Sequence, residues 1–140
     1  MLENKNIDKV LTTEAITVRV HQKLSYVNKI FNEKGIHHLP VLEGKKPIGI
    51  ISTTDIYKLI YNIDMQDKRK IDTMLDNDFT IEDVMSKDLV TLPLSSTIKD
   101  AAGILQVSTR HSIIITNRDG EFAGIVTSTD LIKYLFNKIY

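Results

Sequence analysis

Two short runs gather hydroxyl groups and an acid into single turns: Gly49-Ile50-Ile51-Ser52-Thr53-Thr54-Asp55, and again Gly124-Ile125-Val126-Thr127-Ser128-Thr129-Asp130. In each, an apolar run of strand character meets the hydroxyls, then the Asp, then a helical pattern carried by Ile56, Leu59 and Ile60 or by Leu131, Ile132, Leu135 and Phe136. A strand that enters a helix in this way presents main-chain amides at the positive end of the helix dipole, which suits an anion. Hydroxyls beside it donate to phosphate oxygens. A carboxylate one turn in repels phosphate but accepts from paired hydroxyls, as on a ribose. The competing reading is structural: Ser52, Thr53, Thr127 and Ser128 cap their helices, and Asp55 and Asp130 sit favourably in the first turn. One copy alone favours the cap, and the repetition shifts the balance towards a site.

The elements that hold these runs are themselves duplicated. Ile7 to Val18 lies over Ile81 to Leu92 at an offset of 74, with the apolar positions coinciding. The same offset carries Leu24, Val27 and Phe31 onto Ile98, Ala101 and Leu105, and His37-His38-Leu39-Pro40-Val41 onto His111-Ser112-Ile113-Ile114-Ile115. At Gly49 and Gly124 the offset is 75, so the second copy has gained a residue near the turn Asn117-Arg118-Asp119-Gly120. Each copy reads as a short strand (Ala15 to Val18; Leu89 to Leu92), an amphipathic helix (about Gln22 to Lys34, stopped by Gly35; Ser96 to Val107), a hairpin and a second helix. The hairpin strands are Leu39 to Leu42 with Ile48 to Ile51, and Ile113 to Thr116 with Phe122 to Val126. The fold class expected is α+β, with two β-α-β-β-α repeats over residues 1–61 and 80–140. Residues 62–79 form a connector, partly helical because Met65, Ile71, Met74 and Leu75 recur at roughly helical spacing. Thr80 with Asp83 three residues on reads as the helix start that opens the second copy.

Composition narrows the function classes. The 140 residues are 42% apolar and 26% charged, which is globular, and the formal net charge is zero, so no overall field holds nucleic acid or an acidic membrane. The chain has no cysteine, which removes disulfides, zinc-thiolate sites and thiol catalysis. No apolar run approaches the roughly 18 residues of a membrane span, and no signal peptide is read, so the expected location is cytoplasmic. Catalysis is disfavoured: the sequence holds no Walker loop, nucleophile elbow, HExxH or dinucleotide fingerprint. His37 and His38 are adjacent and point to opposite faces of an extended segment, so they cannot share a metal.

The ordered set of a short I-T-V strand, a helix ending in G-I-H-H-L-P-V, a Gly turn and G-I-I-S-T-T-D, present twice, resembles the CBS domain of cystathionine β-synthase. The resemblance covers about Ile7 to Phe136 and implies repeats packed about a pseudo-twofold axis, with two clefts that bind AMP, ADP, ATP or S-adenosylmethionine. It implies phosphate and ribose contacts from Ser52 with Thr54 and Thr127 with Thr129, and ribose-binding carboxylates in Asp55 and Asp130. The main chain around Thr12 and Ile16, and around Ser86 and Val90, matches the wall that holds adenine. His37 and His38, and His111 and Ser112, match positions from which side chains reach phosphate; Arg110 is a candidate for the charge that Ser112 lacks, against the favoured reading of a solvated surface arginine. Pro40 is replaced by Ile114 and His38 by Ser112 in the second copy, so the clefts are expected to be unequal. The implied role is a regulatory, energy-sensing module that dimerises and signals to an unidentified effector protein. The alternative is a constitutive dimerisation or scaffolding module whose clefts are vestigial.

Overall fold

The computed structural model describes residues 5–61, 67–107, 109 and 111–140, so Met65 and Arg110 lie outside the described residues. Two compact units are present: residues 16–88 form one, and residues 1–15 with 89–140 form the other. These units cut across the sequence repeats. The segment that opens each repeat by sequence is packed in the unit that carries the other repeat's strands.

In the 16–88 unit a three-stranded sheet has the order β1 (Val18–Arg19), β2 (His38–Glu43), β3 (Lys46–Ser52). β1 runs parallel to β2, and β2 and β3 form the expected antiparallel hairpin, with a register shift between Val41 and Leu42. Helix α1 (Leu24–Lys34) precedes β2 and ends at Gly35, whose φ of 65° is the left-handed conformation that closes helices and favours glycine. Helix α2 (Thr53–Ile60) follows β3 directly. The connector supplies α3 (Lys68–Asp78), and α4 (Ile81–Val84) completes the unit. Its core packs Leu24, Val27 and Phe31 of α1 against Leu39, Val41 and Ile51 of the sheet. Ile71 and Leu75 of α3 are buried in the same core, so the helical spacing read in the connector marks a packed helix.

The 89–140 unit repeats this plan. Its sheet has the order β4 (Thr91–Pro93), β5 (Ser112–Thr116), β6 (Phe122–Thr127), again with a parallel and then an antiparallel pair. Helices α5 (Ile98–Leu105) and α6 (Ser128–Ile139) flank it, and the turn at Asn117 to Gly120 that takes the extra residue joins β5 to β6. A single 3-10 turn, Ile7–Lys9, buries Ile7 and Val10 in this unit's core beside Ile98, Ala101 and Ile113.

The first strand starts later than the sequence suggested. Expected over Ala15 to Val18, it is β1 at Val18–Arg19, while β4 begins at Thr91 where the copy-two strand was expected from Leu89. Proline explains part of the difference between the copies. The Ile114 N–H donates to the Val90 carbonyl at 2.9 Å, and the residue in the place of Ile114 is Pro40, which has no N–H to offer Ile16. Parallel pairing therefore begins at Val18 with Val41 in one unit and one position earlier, at Thr91 with Ile114, in the other.

Candidate ligand-binding corners

Each hydroxyl–acid run forms a corner where a strand passes into a helix, and each corner is closed by a capping box. At α2 the Ser52 N–H donates to Asp55 Oδ2 at 2.8 Å, and the Asp55 N–H donates to Ser52 Oγ at 3.3 Å. At α6 the Thr127 N–H donates to Asp130 Oδ2 at 2.8 Å, and the Asp130 N–H donates to Thr127 Oγ1 at 3.2 Å. There the hydroxyl proton is also committed, from Thr127 Oγ1 to Asp130 Oδ2 at 2.9 Å. The next amide is held by the main chain: Thr53 N–H donates to the His37 carbonyl at 3.0 Å, and Ser128 N–H to the His111 carbonyl at 3.3 Å.

The cap thus takes most of the donors that an anion would use. Among the described residues it leaves the amides of Thr54 and Thr129 outside the cap, their exposed hydroxyls beside them, and Oδ1 of Asp55 and Asp130 without a donor. Both acids are half-buried and both threonines exposed. Each corner therefore presents an anionic acceptor with few donors. That chemistry suits vicinal sugar hydroxyls better than a bare phosphate, because the carboxylate repels the phosphate and accepts from the diol.

The remaining site candidates fall into two groups. In the 16–88 unit, His38 is paired with Ser52 in the hairpin register, and His37 supplies the carbonyl just described. Ser86 exchanges both main-chain bonds with Ile50, N–H to carbonyl at 2.9 Å and carbonyl to N–H at 3.0 Å, two residues before the cap. Ile16 is at the start of this unit and partly exposed. In the 89–140 unit, Ser112 is paired with Thr127, His111 supplies the other carbonyl, and Val90 accepts from Ile114. Thr12 exchanges bonds with Ile125 at 3.1 and 3.2 Å. Thr12 is thereby brought to the Thr127–Asp130 corner and Ser86 to the Ser52–Asp55 corner, while Thr12 and Ser52, from one repeat by sequence, are in different units. The main-chain groups of Thr12 and Ser86 are spent on these pairings, so only their neighbours remain to read a base.

What single-residue reasoning missed is why Gly49 and Gly124 begin the runs. A Cβ built on Gly49 would lie 2.8 Å from Met85 Cγ, and one on Gly124 would lie 2.7 Å from the Thr12 carbonyl oxygen and 3.0 Å from Leu11 Cγ. The glycines admit the crossing segment against the sheet, and their recurrence at the start of both runs was the available signal.

A family model described as the CBS domain matches residues 7–62 and again residues 81–137. The chain belongs to the CBS domain family. The α+β class and the two repeats expected from the sequence hold. Among curated proteins the chain is similar to uncharacterized protein MJ1232 of Methanocaldococcus jannaschii, at 28% identity over 137 residues that cover 98% of this chain and 42% of that one. It is also similar to an inosine-5′-monophosphate dehydrogenase of Korarchaeum cryptofilum, at 24% identity over 127 residues, 91% of this chain and 24% of the enzyme. The chain therefore spans less than half the length of these relatives.

Solved CBS structures share the fold. A CBS domain-containing protein of unknown function from Bacillus anthracis aligns with a TM-score of 0.78 at 23% identity, covering 99% of this chain and 97% of that one. The CBS domain pair of protein MJ0100, in complex with 5′-methylthioadenosine and S-adenosyl-L-methionine, aligns at 0.74 and 24% identity over 94% and 99% of the chains. CBSX2, a CBS-pair protein of Arabidopsis thaliana, in complex with AMP, aligns at 0.79 and 18% identity over 98% and 100%.

Proposed function

We propose that this chain is a regulatory CBS module that binds an adenosine-containing ligand, AMP, ADP, ATP or S-adenosylmethionine, and alters its dimer state or its hold on a partner protein when the ligand is present. The observation that carries this reading is the pair of corners, each with a half-buried carboxylate whose Oδ1 faces no donor among the described residues and with an exposed threonine next to it. Two vicinal hydroxyls satisfy such an acceptor, and the Thr54 or Thr129 amide, outside the cap, is a donor for an oxygen beyond the ribose. The bound nucleosides of MJ0100 and CBSX2 support the ligand class. The match to a quarter of a dehydrogenase supports an accessory, non-catalytic role. A ligand shifts the module only by its difference in affinity for two arrangements, so the sensing state is the one whose corner is better formed.

Calorimetric titration with AMP, ATP and S-adenosylmethionine tests the reading. Saturable heat that is lost in an Asp55→Ala, Asp130→Ala double variant with retained helical circular dichroism is the expected result. No heat with any of the three ligands overturns it and favours the second reading, constitutive dimerisation. One feature favours that second reading: no residue of α6 is buried, and Ile132, Phe136 and Ile139 are 65, 61 and 71% exposed at i, i+4 and i+7 on one face.

A further inference from the structure

Among the described helices, α1 alone has an N-cap residue, Lys23, that makes no side-chain cap bond. The cap comes from elsewhere in the chain. Ser25 donates its N–H to Asp76 Oδ1 at 2.9 Å and its Oγ–H to Asp76 Oδ2 at 2.7 Å, across 51 residues of sequence. Asp76 stands on α3, one position after Leu75, which is fully buried in the unit core. From α3 the chain runs without a break to the Ser52–Asp55 corner. The Phe79 N–H caps back to the Leu75 carbonyl, Thr80 opens α4, Ile81 and Met85 are buried, Met85 fills the space over Gly49, and Ser86 pairs with Ile50.

We propose that Asp76 is a positioning residue for that corner: by clamping α3 to the head of α1 it fixes the strap 68–86, and the strap fixes the strand that enters the Ser52–Asp55 cap. Strain and order pass along such a path because each link is a packed or hydrogen-bonded contact with its neighbour. The 89–140 unit has the same pairing, Thr12 with Ile125, reached from a single 3-10 turn without an α3 counterpart among the described residues, so it serves as the internal control.

Amide hydrogen exchange on the full chain tests this without any ligand, since exchange reports local opening residue by residue. In Asp76→Ala, which loses both hydrogen bonds to Ser25, exchange across 68–78 and at Ile50 and Ser86 rises by at least about tenfold, the factor for even one lost charge-assisted hydrogen bond. The amides of Thr12 and Ile125 and those of β2 stay unchanged. Unchanged exchange at Ile50 and Ser86 overturns the proposal, and so does a rise in β2 equal to that in the strap, because it means general loss of fold. If Asp76→Ala does not fold, Asp76→Asn, which keeps one acceptor oxygen and the side-chain volume, is judged on the same criteria.

A second arm rests on the proposed ligand reading. AMP heat that is lost in Asp55→Ala, and so comes from that corner, is accompanied by slower exchange across 68–78, because an effect of the strap on the corner requires an equal effect of the corner on the strap. Such heat without that slowing overturns transmission through the strap. No heat sinks the ligand reading instead, and the Asp76 variants then decide the positioning role alone.

Discussion

At the scale of single residues, the two motif glycines separate what a flexible neighbour tolerates from what a rigid one does. A methyl at Gly49 meets the Met85 thioether chain, which can turn aside, whereas a methyl at Gly124 meets the Thr12 carbonyl, a backbone atom pinned by its bonds to Ile125. Gly124→Ala is therefore expected to destabilise by about 2–3 kcal/mol and Gly49→Ala by about 1 kcal/mol, in the range of overpacked sites, as read from urea unfolding midpoints. An ionisable group gives a second residue-scale expectation. Asp83 is held below its ordinary value of 3.8, first by the Thr80 N–H and then by the Thr80 hydroxyl. A lowered folded value means that its contribution is present at neutral pH and lost as pH falls through that value, below about 4. NMR titration of Thr80→Ala should bring Asp83 back up towards 3.8, because the hydroxyl donor is gone while the amide remains.

At the scale of elements, the period-two and period-3.6 patterns identified the hairpins, the four repeat helices and even the connector helix, because each is decided by residues a few positions apart. Both first strands begin later than their patterns suggested, and β1 one position later than β4 for a reason equally physical: pairing depends on a donor in another strand, and Pro40 withholds it from Ile16. Installing that defect in the second unit makes the comparison direct. Ile114→Pro removes the 2.9 Å bond to Val90 and is expected to destabilise by at least about 1 kcal/mol, with loss of slow-exchanging amides along β4. The corners were legible as residue types, since S-T-T-D and T-S-T-D spell both a cap and a site. The cap was legible too, but the arrival of Asp76 at Ser25 was not, because nothing local records a contact 51 residues away.

At the scale of the molecule, α6 carries an uncovered apolar face on which the proposed dimerisation can be tested. Its half-buried Leu131 and Tyr134 pack on the unit core, and the opposite face carries Ile132, Phe136 and Ile139 to the surface. Phe136→Glu with Ile139→Glu is expected to shift light scattering from dimer to monomer while leaving the melting temperature of the monomer close to that of the parent, since neither side chain is buried. A parent that scatters as a monomer at micromolar concentration overturns the dimer. The exchange of opening segments between the two units also sets an order of events during synthesis. Residues 16–88 carry a core of their own and can close as soon as that stretch has left the ribosome, whereas Ile7 and Val10 must wait for Ile113 and Val126 to be made. Throughout that interval Ile7 and Val10 carry apolar side chains with nowhere to go, which makes the short segment around them a stretch that a chaperone would have to shield.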